Sequence, residues 1–402
     1  MHPDFMRKVD FYLGVPICFF LSIINAIGRL IGLGTPGDRP KRILFIELSE
    51  MGSAILAYCA MKKAKELHKA ELFFLIFEEN VDSVELLDIV PKENVVTIRS
   101  KSMGHFILDT FTLPFRLWNR RIDTVVDLEL FSRFTAIISF LSGARRRAGF
   151  YQYHQEGLYR GGLLTHRVFY NPYYHMSQNF LSLVHSLSEA PGKEPMLKKR
   201  IPLEEVVRAR KASSQADKDR LLSKLKAINP RITKSTPIVL LNPNASALLP
   251  IRKWPIERFM HLAKELLKEK GLVIAITGVA TEKPDAEKIC GHAKSDRCID
   301  LTGKTTLREL IDLYNVSKVL VTNDSGPAHF ASLTDIPIVV LFGPETPSLY
   351  SPLGGNCVPV YSHFACSPCV SAYNHRKTAC HDNKCLQAIT VKEVLATVKK
   401  LL

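Results

Sequence analysis

The chain has 402 residues, 46% of them hydrophobic and 23% charged. That composition excludes a disordered chain and a polytopic membrane protein, and the length exceeds what one hydrophobic core organises, so two domains are expected. The formal net charge of +15 points to anionic partners, and with no helix-turn-helix, zinc-finger or RNA-binding pattern beside it, nucleic acid is not among them.

The first 40 residues stand apart. From Phe11 to Gly28 the chain carries no charge and is largely apolar, with Arg7 and Lys8 before it and Arg29 after it. A spanning helix needs about 20 apolar residues, and Gly14, Pro16, Ser22 and Asn25 weaken this one. No small-x-small cleavage site precedes Arg29, which argues against a signal peptide. The reading favoured is a helix lying in the membrane interface, ahead of a single span or a helix packed on the protein's own surface.

From Lys41 onward, short β-rich apolar runs alternate with helical patterns, the mark of βαβ units and parallel sheets. A first series predicts strands at Arg42–Ile46, Leu72–Phe77, Val95–Ile98 and Thr124–Asp127, with helices around Ala54–Leu67, Phe106–Trp118 and Phe134–Leu141. A second predicts strands at Pro237–Leu241, Val273–Thr277, Cys298–Leu301, Val319–Thr322 and Ile338–Phe342, with helices at Ile256–Lys270, Pro284–Ala293, Leu307–Tyr314 and Pro327–Leu333. The expected architecture is α/β. An apolar segment (1–40) is followed by an N-terminal Rossmann-like domain (41–185), a Lys- and Ser-rich connection (186–236) and a C-terminal Rossmann-like domain (237–402). Open parallel sheets bind ligands beyond the carboxyl ends of their strands, so two facing domains are expected to hold theirs in a cleft between them.

The strongest local signal is Asn323-Asp324-Ser325-Gly326-Pro327-Ala328-His329, after one apolar run and before a helix. It reads as a capping side chain, a tight turn and a first-turn proline, with free N–H groups that suit a diphosphate. A capped helix without a ligand is the plainer reading. Continued by Ile338–Phe342 and Gly343-Pro344-Glu345-Thr346, this segment resembles the donor-binding segment of the heptosyltransferases of lipopolysaccharide synthesis. The resemblance extends from about Lys41 to the C-terminus and is densest from Ile238 to Thr346.

It implies a GT-B-like fold and an inverting, metal-independent glycosyltransferase that moves a sugar, a heptose by family, from a nucleotide diphosphate donor, with ADP-heptose favoured. The acceptor implied is a lipopolysaccharide or other lipid-linked glycan, and the location the cytoplasmic face of the inner membrane, peripheral or singly anchored. Asp324, Ser325, Gly326 and His329 become donor contacts. Asn244 and Ser246, in Leu241-Asn242-Pro243-Asn244-Ala245-Ser246, become phosphate contacts. Lys253, just before Trp254-Pro255, becomes the cation that stabilises the departing diphosphate. Glu282, after Thr277-Gly278, becomes the ribose-binding carboxylate.

Ile46-Glu47-Leu48-Ser49-Glu50-Met51-Gly52-Ser53 matches the family's acceptor-side loop, with a departure. The better-known members have an aspartate directly after that glycine, thought to deprotonate the acceptor, where this chain has Ser53, which is no useful base near neutral pH. Glu50 is taken as the base, ahead of Glu47, and Ser53 as an acceptor contact. In the basic cluster Arg145–Arg147, followed by Tyr151, Tyr153, His154 and Arg160, Arg147 carries the acceptor-binding expectation, since its alternation with Ala148 and Phe150 suggests a strand. The rivals are a nucleotide-sugar epimerase and a nucleotide-binding homologue without catalysis.

The nine cysteines are Cys18, Cys59, Cys290, Cys298, Cys357, Cys366, Cys369, Cys380 and Cys385. The last four are spaced Cys-x2-Cys-x10-Cys-x4-Cys in the loop 362–386, which suggests a structural zinc site, with two disulfides or free thiols as alternatives. No catalytic cofactor is expected.

Overall fold

Strands in a parallel sheet covered on both faces are buried on both sides, and their sequences read as unbroken apolar runs. Ile43–Ile46, Val239–Leu241, Val319–Val321 and Ile338–Phe342 are such runs and are fully enclosed. The computed structural model describes residues 3–32, 39–154, 158–192, 194–245 and 249–402. It divides into two units, Met1–Val207 and Arg208–Leu402, the boundary falling within the connecting stretch 186–236.

The first unit begins with helices α1 (Pro3–Tyr12) and α2 (Gly14–Leu30). There follow β1 (Arg42–Ile46), α3 (Met51–Leu56), α4 (Tyr58–His68), β2 (Glu71–Phe77), α5 (Val81–Glu85), β3 (Val95–Ile98) and α6 (Met103–Asn119). The unit closes with β4 (Thr124–Asp127), α7 (Arg133–Leu141), β5 (Arg146–Tyr151), β6 (His166–Phe169) and α8 (Met176–Ser186). Its six strands run parallel in the order β3-β2-β1-β4-β5-β6.

The second unit starts with α9 (Gln215–Ile228), β7 (Ile238–Asn242), α10 (Ile256–Leu266), β8 (Val273–Ile276), α11 (Lys283–Ala293), β9 (Cys298–Asp300) and α12 (Leu307–Val316). It continues with β10 (Val319–Asn323), α13 (Gly326–Ala331), β11 (Ile338–Phe342), α14 (Pro347–Tyr350), β12 (Cys357–Tyr361), α15 (Lys384–Gln387) and α16 (Val391–Lys399). Its sheet is ordered β12-β11-β10-β7-β8-β9, again all parallel.

Both orders are those of a Rossmann fold, in which the strand sequence reverses at one central pair: β1 beside β4, and β7 beside β10. Helices before and after that pair cover opposite faces, so the loops leaving its carboxyl ends part and leave a crevice. Glu47 and Glu129 follow β1 and β4. Asn244 and Asp324 follow β7 and β10. The topology alone therefore puts Glu47 of the first unit and Asn244 and Asp324 of the second, all named from the sequence, at the switch points, whereas Arg147 lies in β5 and Glu282 follows β8.

The structure adds strands β6 and β12, which the sequence reading did not assign, and places β5 where the alternation of Arg147 with Ala148 and Phe150 suggests a strand. Edge strand β12 contains Pro359, tolerated there because one side of an edge strand needs no N–H donor. The predicted helix over Ala54–Leu67 is two helices, α3 and α4, joined at Ala57.

Candidate functional site

In the second unit the switch point is knitted together by Asn323, the last residue of β10. Its Nδ2 donates to the carbonyls of Pro243 (2.8 Å) and Asn244 (3.3 Å), and its Oδ1 accepts from the Trp254 N–H (2.9 Å). One buried side chain thus positions the Pro243–Asn244 turn and the Lys253–Trp254 segment against the end of β10. Trp254 is itself fixed in the core, its Nε1 donating to Ile389 O.

Asp324 points into the interior beside Arg252, whose Nη1 lies 3.4 Å from its Oδ2. Glu345, 2% exposed, closes the group. Burial raises both carboxyls; the Arg252 guanidinium draws Asp324 back down, while Asp324 pushes Glu345 further up. The cluster thus favours one ion pair and one protonated acid. Asn244 Nδ2, Arg252 Nε and Glu345 Oε1 are buried without a hydrogen-bond partner in the protein. Enclosed polar atoms left so are costly, and several converging on one loop system mark a place where a ligand completes the bonding.

Ser325 occupies the N-cap position of α13, but its side chain makes no cap bond. Its Oγ donates instead to Asn323 O at 3.3 Å, which corrects the expectation of a capping side chain. Pro327 does sit in the first turn. With six residues, α13 offers little macrodipole, so the polar character of the site comes from side chains. His329 is buried on α13, and Gly326 opens it. Ser246 lies outside the described residues.

Lys253 Nζ donates to Asn244 Oδ1 at 3.0 Å and stands 3.9 Å from Asp285. Glu282 accepts from the Val279 N–H at 2.9 Å; burial raises its carboxyl and the nearby Lys253 charge lowers it. Lys253, Asn244 and Glu282 therefore share one neighbourhood.

In the first unit, the loop after β1 is a carboxylate-rich turn. The Glu50 N–H donates to Glu47 Oε1 (3.3 Å), and Ser53 Oγ donates to Glu50 Oε2 (2.9 Å). Glu129, after β4, accepts the Leu48 N–H at 2.9 Å and so ties the loop to its neighbour strand. Its carboxyl is pushed up to about 7, chiefly by burial and then by Asp127, against the pull of the Leu48 and Ser49 amides and Arg160. Below it, Asp127 and Arg160 form a fully buried ion pair that Thr135 joins, its Oγ1 donating to Asp127 at 2.9 Å.

Arg147 departs from the sequence reading. It is 6% exposed, and its donors go to Leu163 O (2.7 Å), Ala144 O (2.5 Å) and Asn25 Oδ1 (3.2 Å). Burial lowers it to about 10. Its side chain braces α2 against the sheet, because alternation in β5 turns this position inward.

The four clustered cysteines take the free-thiol alternative. All nine cysteines are free thiols, and among the described residues no group of three or more His, Cys, Asp or Glu could hold a metal. Cys366, Cys369 and Cys380 are near enough to raise Cys385, which burial raises most. They do not converge, because the loop's own polar atoms hold it elsewhere: Cys369 N–H and Val370 N–H both donate to Pro344 O, and Asn383 Nδ2 donates to the carbonyls of Ile251 and Lys253. The loop thereby buttresses the segments carrying Glu345 and Lys253.

Residues 114–379, about two thirds of the chain, match the family model described as glycosyltransferase family 9 (heptosyltransferase). The chain belongs to that family. It is 35% identical over 120 residues to lipooligosaccharide heptosyltransferase 2 of Haemophilus influenzae, covering 29% of this chain and 34% of the relative. To lipopolysaccharide heptosyltransferase 2 of Salmonella typhimurium it is 32% identical over 125 residues, 30% and 35% of the two chains. These matches thus span about a third of the curated relatives' length. Among solved structures, E. coli ADP-heptose lps heptosyltransferase II superposes with a TM-score of 0.68 at 19% identity, over 90% of this chain and 98% of that one. E. coli heptosyltransferase WaaC with ADP gives 0.62 at 14%, over 90% and 100%. At these identities the structural likeness speaks for the fold.

The family match takes in every residue of the second-unit site, whereas the loop of Glu50 and Ser53 precedes it. Sequence reasoning missed Asn323, Arg252, Glu345 and Glu129. Asn323 and Arg252 stood inside the quoted motifs, and Glu345 inside Gly343–Thr346. Glu129 had no local signal, because what gives it meaning is a contact 81 residues away.

Proposed function

We propose that this protein transfers a heptose from ADP-heptose to a lipopolysaccharide or other lipid-linked glycan acceptor, at the cytoplasmic face of the inner membrane, by one inverting displacement that needs no metal. The observation that carries the reading is the buried, incompletely bonded cluster of Asn244, Arg252 and Glu345 around Asp324, lying in the family's donor segment. The named relatives support the sugar, since they are heptosyltransferases, and of two structural neighbours one is named an ADP-heptose heptosyltransferase and the other is a heptosyltransferase with ADP.

In this reading Asp324, Ser325, Gly326 and His329 receive the donor, with Asn244 and Ser246 toward the diphosphate and Glu282 toward the ribose. The acceptor, contacted by Ser53, presents a hydroxyl whose oxygen attacks the anomeric carbon while Glu50 takes its proton. The bond from that carbon to the diphosphate breaks, and Lys253 stabilises the charge growing on the leaving group. A basic, partly buried cation supplies what a metal would otherwise supply.

Isothermal titration with ADP, UDP and GDP, repeated for Asp324→Ala and Lys253→Ala, tests the donor half. Saturable binding of ADP that both variants weaken supports it; no binding of any diphosphate by the folded protein removes it. Incubation of ADP-heptose with a heptose-free acceptor then separates transfer, read as a one-heptose mass gain, from sugar conversion without acceptor or no turnover.

A further inference from the structure

Helix α2 is built inside out. A helix packed on a soluble domain turns its apolar stripe inward, yet here Gly14, Cys18, Ser22 and Asn25 face the domain while Ile17, Phe20, Ile24 and Ile27 face outward. The inward face is fitted closely. A Cβ on Gly14 would come within 2.8 Å of Arg133, and one on Gly161 within 2.7 Å of the Cys18 carbonyl. Polar bonds pin it and the preceding α1: Arg133 pairs with Asp10 of α1, Gly162 N–H donates to Ser22 Oγ, and Asn25 Nδ2 donates to Gly162 O.

Helix α6 has the same character. Asp109, Leu113 and Leu117 are inside, whereas Ile107, Phe111, Phe115 and Trp118 form an outward stripe, Phe111 being 74% exposed. Both helices run alongside α7 in its own direction. Gly14 meets Arg133 at the start of α7 and Asn25 meets Arg147 beyond its end; Phe106 stacks on Phe134 at the start and Trp118 bonds Leu141 O at the end. The exposed stripes of α2 and α6 therefore flank α7, whose Phe134, Ile137 and Phe140 are partly buried, and exposed Lys8, Arg29, Lys101 and Arg121 rim the surface.

We propose that this α2–α7–α6 face lies in the interfacial layer of an anionic bilayer, so that the protein rests on one leaflet with α2 held to its domain. The inference deepens the reading of a lipid-linked acceptor given above and rests on it only for its purpose, since the surface stands by itself. Phe5–Leu30 is long and apolar enough to cross a membrane. Crossing, however, would strip Asp10, Ser22 and Asn25 from their partners and leave buried Arg133 without its counter-charge, a heavy penalty. Lipid fits the face because exposed aromatics and aliphatics enter the headgroup boundary while a basic rim meets anionic headgroups, an arrangement that suits a chain of net charge +15.

The full-length protein is mixed with vesicles of phosphatidylcholine alone or with added phosphatidylglycerol. The chain has two tryptophans, of which Trp254 is buried and Trp118 half exposed, so a shift in emission reports Trp118. The expected result is a blue shift and co-sedimentation with the anionic vesicles, at least about tenfold weaker on neutral ones. The doubly substituted Phe111→Ser/Phe115→Ser, on α6 alone, loses at least about tenfold in binding while its melting temperature and ADP titration match the parent. Binding unchanged in that variant, or absent in the parent, overturns the proposal. So does a lipid-free dimer that the variant converts to monomer, since a second copy would then cover the face. Failure of ADP titration in a parent that still binds vesicles would remove the transferase reading and leave the surface intact.

Discussion

Ser53 donates its hydroxyl hydrogen to Glu50 Oε2 at 2.9 Å. The residue standing where better-known family members are described above as carrying an aspartate thus acts on a carboxylate one turn earlier, rather than being one.

This relationship makes a paired prediction. Glu50→Gln should lower kcat by about 10²–10⁴-fold with donor binding preserved, the usual span for loss of a general base. Ser53→Ala removes the hydroxyl that holds the Glu50 carboxylate in place and should lower kcat less than Glu50→Gln does. Full activity in Glu50→Gln would mean that Glu50 is not the base.

Glu129 gives a stability prediction with a definite sign. Its folded pKa is raised to about 7 from 4.5, so the native state binds its proton more tightly than the unfolded chain. The stability this contributes is complete below pH 4.5 and is lost as pH climbs through 7, by about 3 kcal/mol at most. Glu129→Gln keeps an oxygen for the Leu48 N–H but has no charge to bury. The melting temperature of the variant should equal the parent's near pH 4 and exceed it above pH 7.

Asn323→Ala should cost roughly 2–4 kcal/mol, because the Trp254 N–H and two carbonyls lose partners in a dry interior. It should also weaken ADP binding without touching ADP, through loosening of the Asn244 and Lys253 segments. Asn323→Asp keeps the acceptor for Trp254 and should recover part of the stability. Urea unfolding and calorimetric titration of the two variants separate these effects.

How far these sites were legible follows from what each signal is made of. Strands β1, β4 and β11 begin and end where the sequence places them, because a parallel strand with neighbours on both sides is an uninterrupted apolar run bounded by polar turns; the edge strand β3 does so too, between Asn94 and Arg99. β5 was signalled only by the alternation of Arg147 with Ala148 and Phe150, because the run Arg145–Arg147 reads as surface although Arg147 turns inward toward α2. The donor loop was legible as a motif, but its chemistry was not, since Arg252 and Glu345 reach Asp324 from segments far away in sequence. The apolar start of the chain was legible as well; that its apolar side faces away from the protein needed the contacts of Gly14, Ser22 and Asn25.

The Asp324–Arg252–Glu345 cluster yields the last prediction. Arg252→Leu should destabilise the protein by about 3 kcal/mol, because it leaves Asp324 buried without its counter-charge. Adding Asp324→Asn to that variant should recover much of the loss, since the amide carries no charge to strand. Glu345→Gln, by contrast, imitates the protonated acid that burial and Asp324 favour. It should be nearly neutral at low pH and stabilising as pH rises, the raised carboxyl having lost its opportunity to ionise. If Glu345→Gln were instead destabilising at every pH, and Asp324→Asn alone were neutral at low pH and stabilising as pH rises, Glu345 would be the ionised partner of Arg252 and the proton would sit on Asp324. Chemical denaturation of these variants across pH distinguishes the two assignments and tells which carboxyl is free to donate a hydrogen bond to the donor.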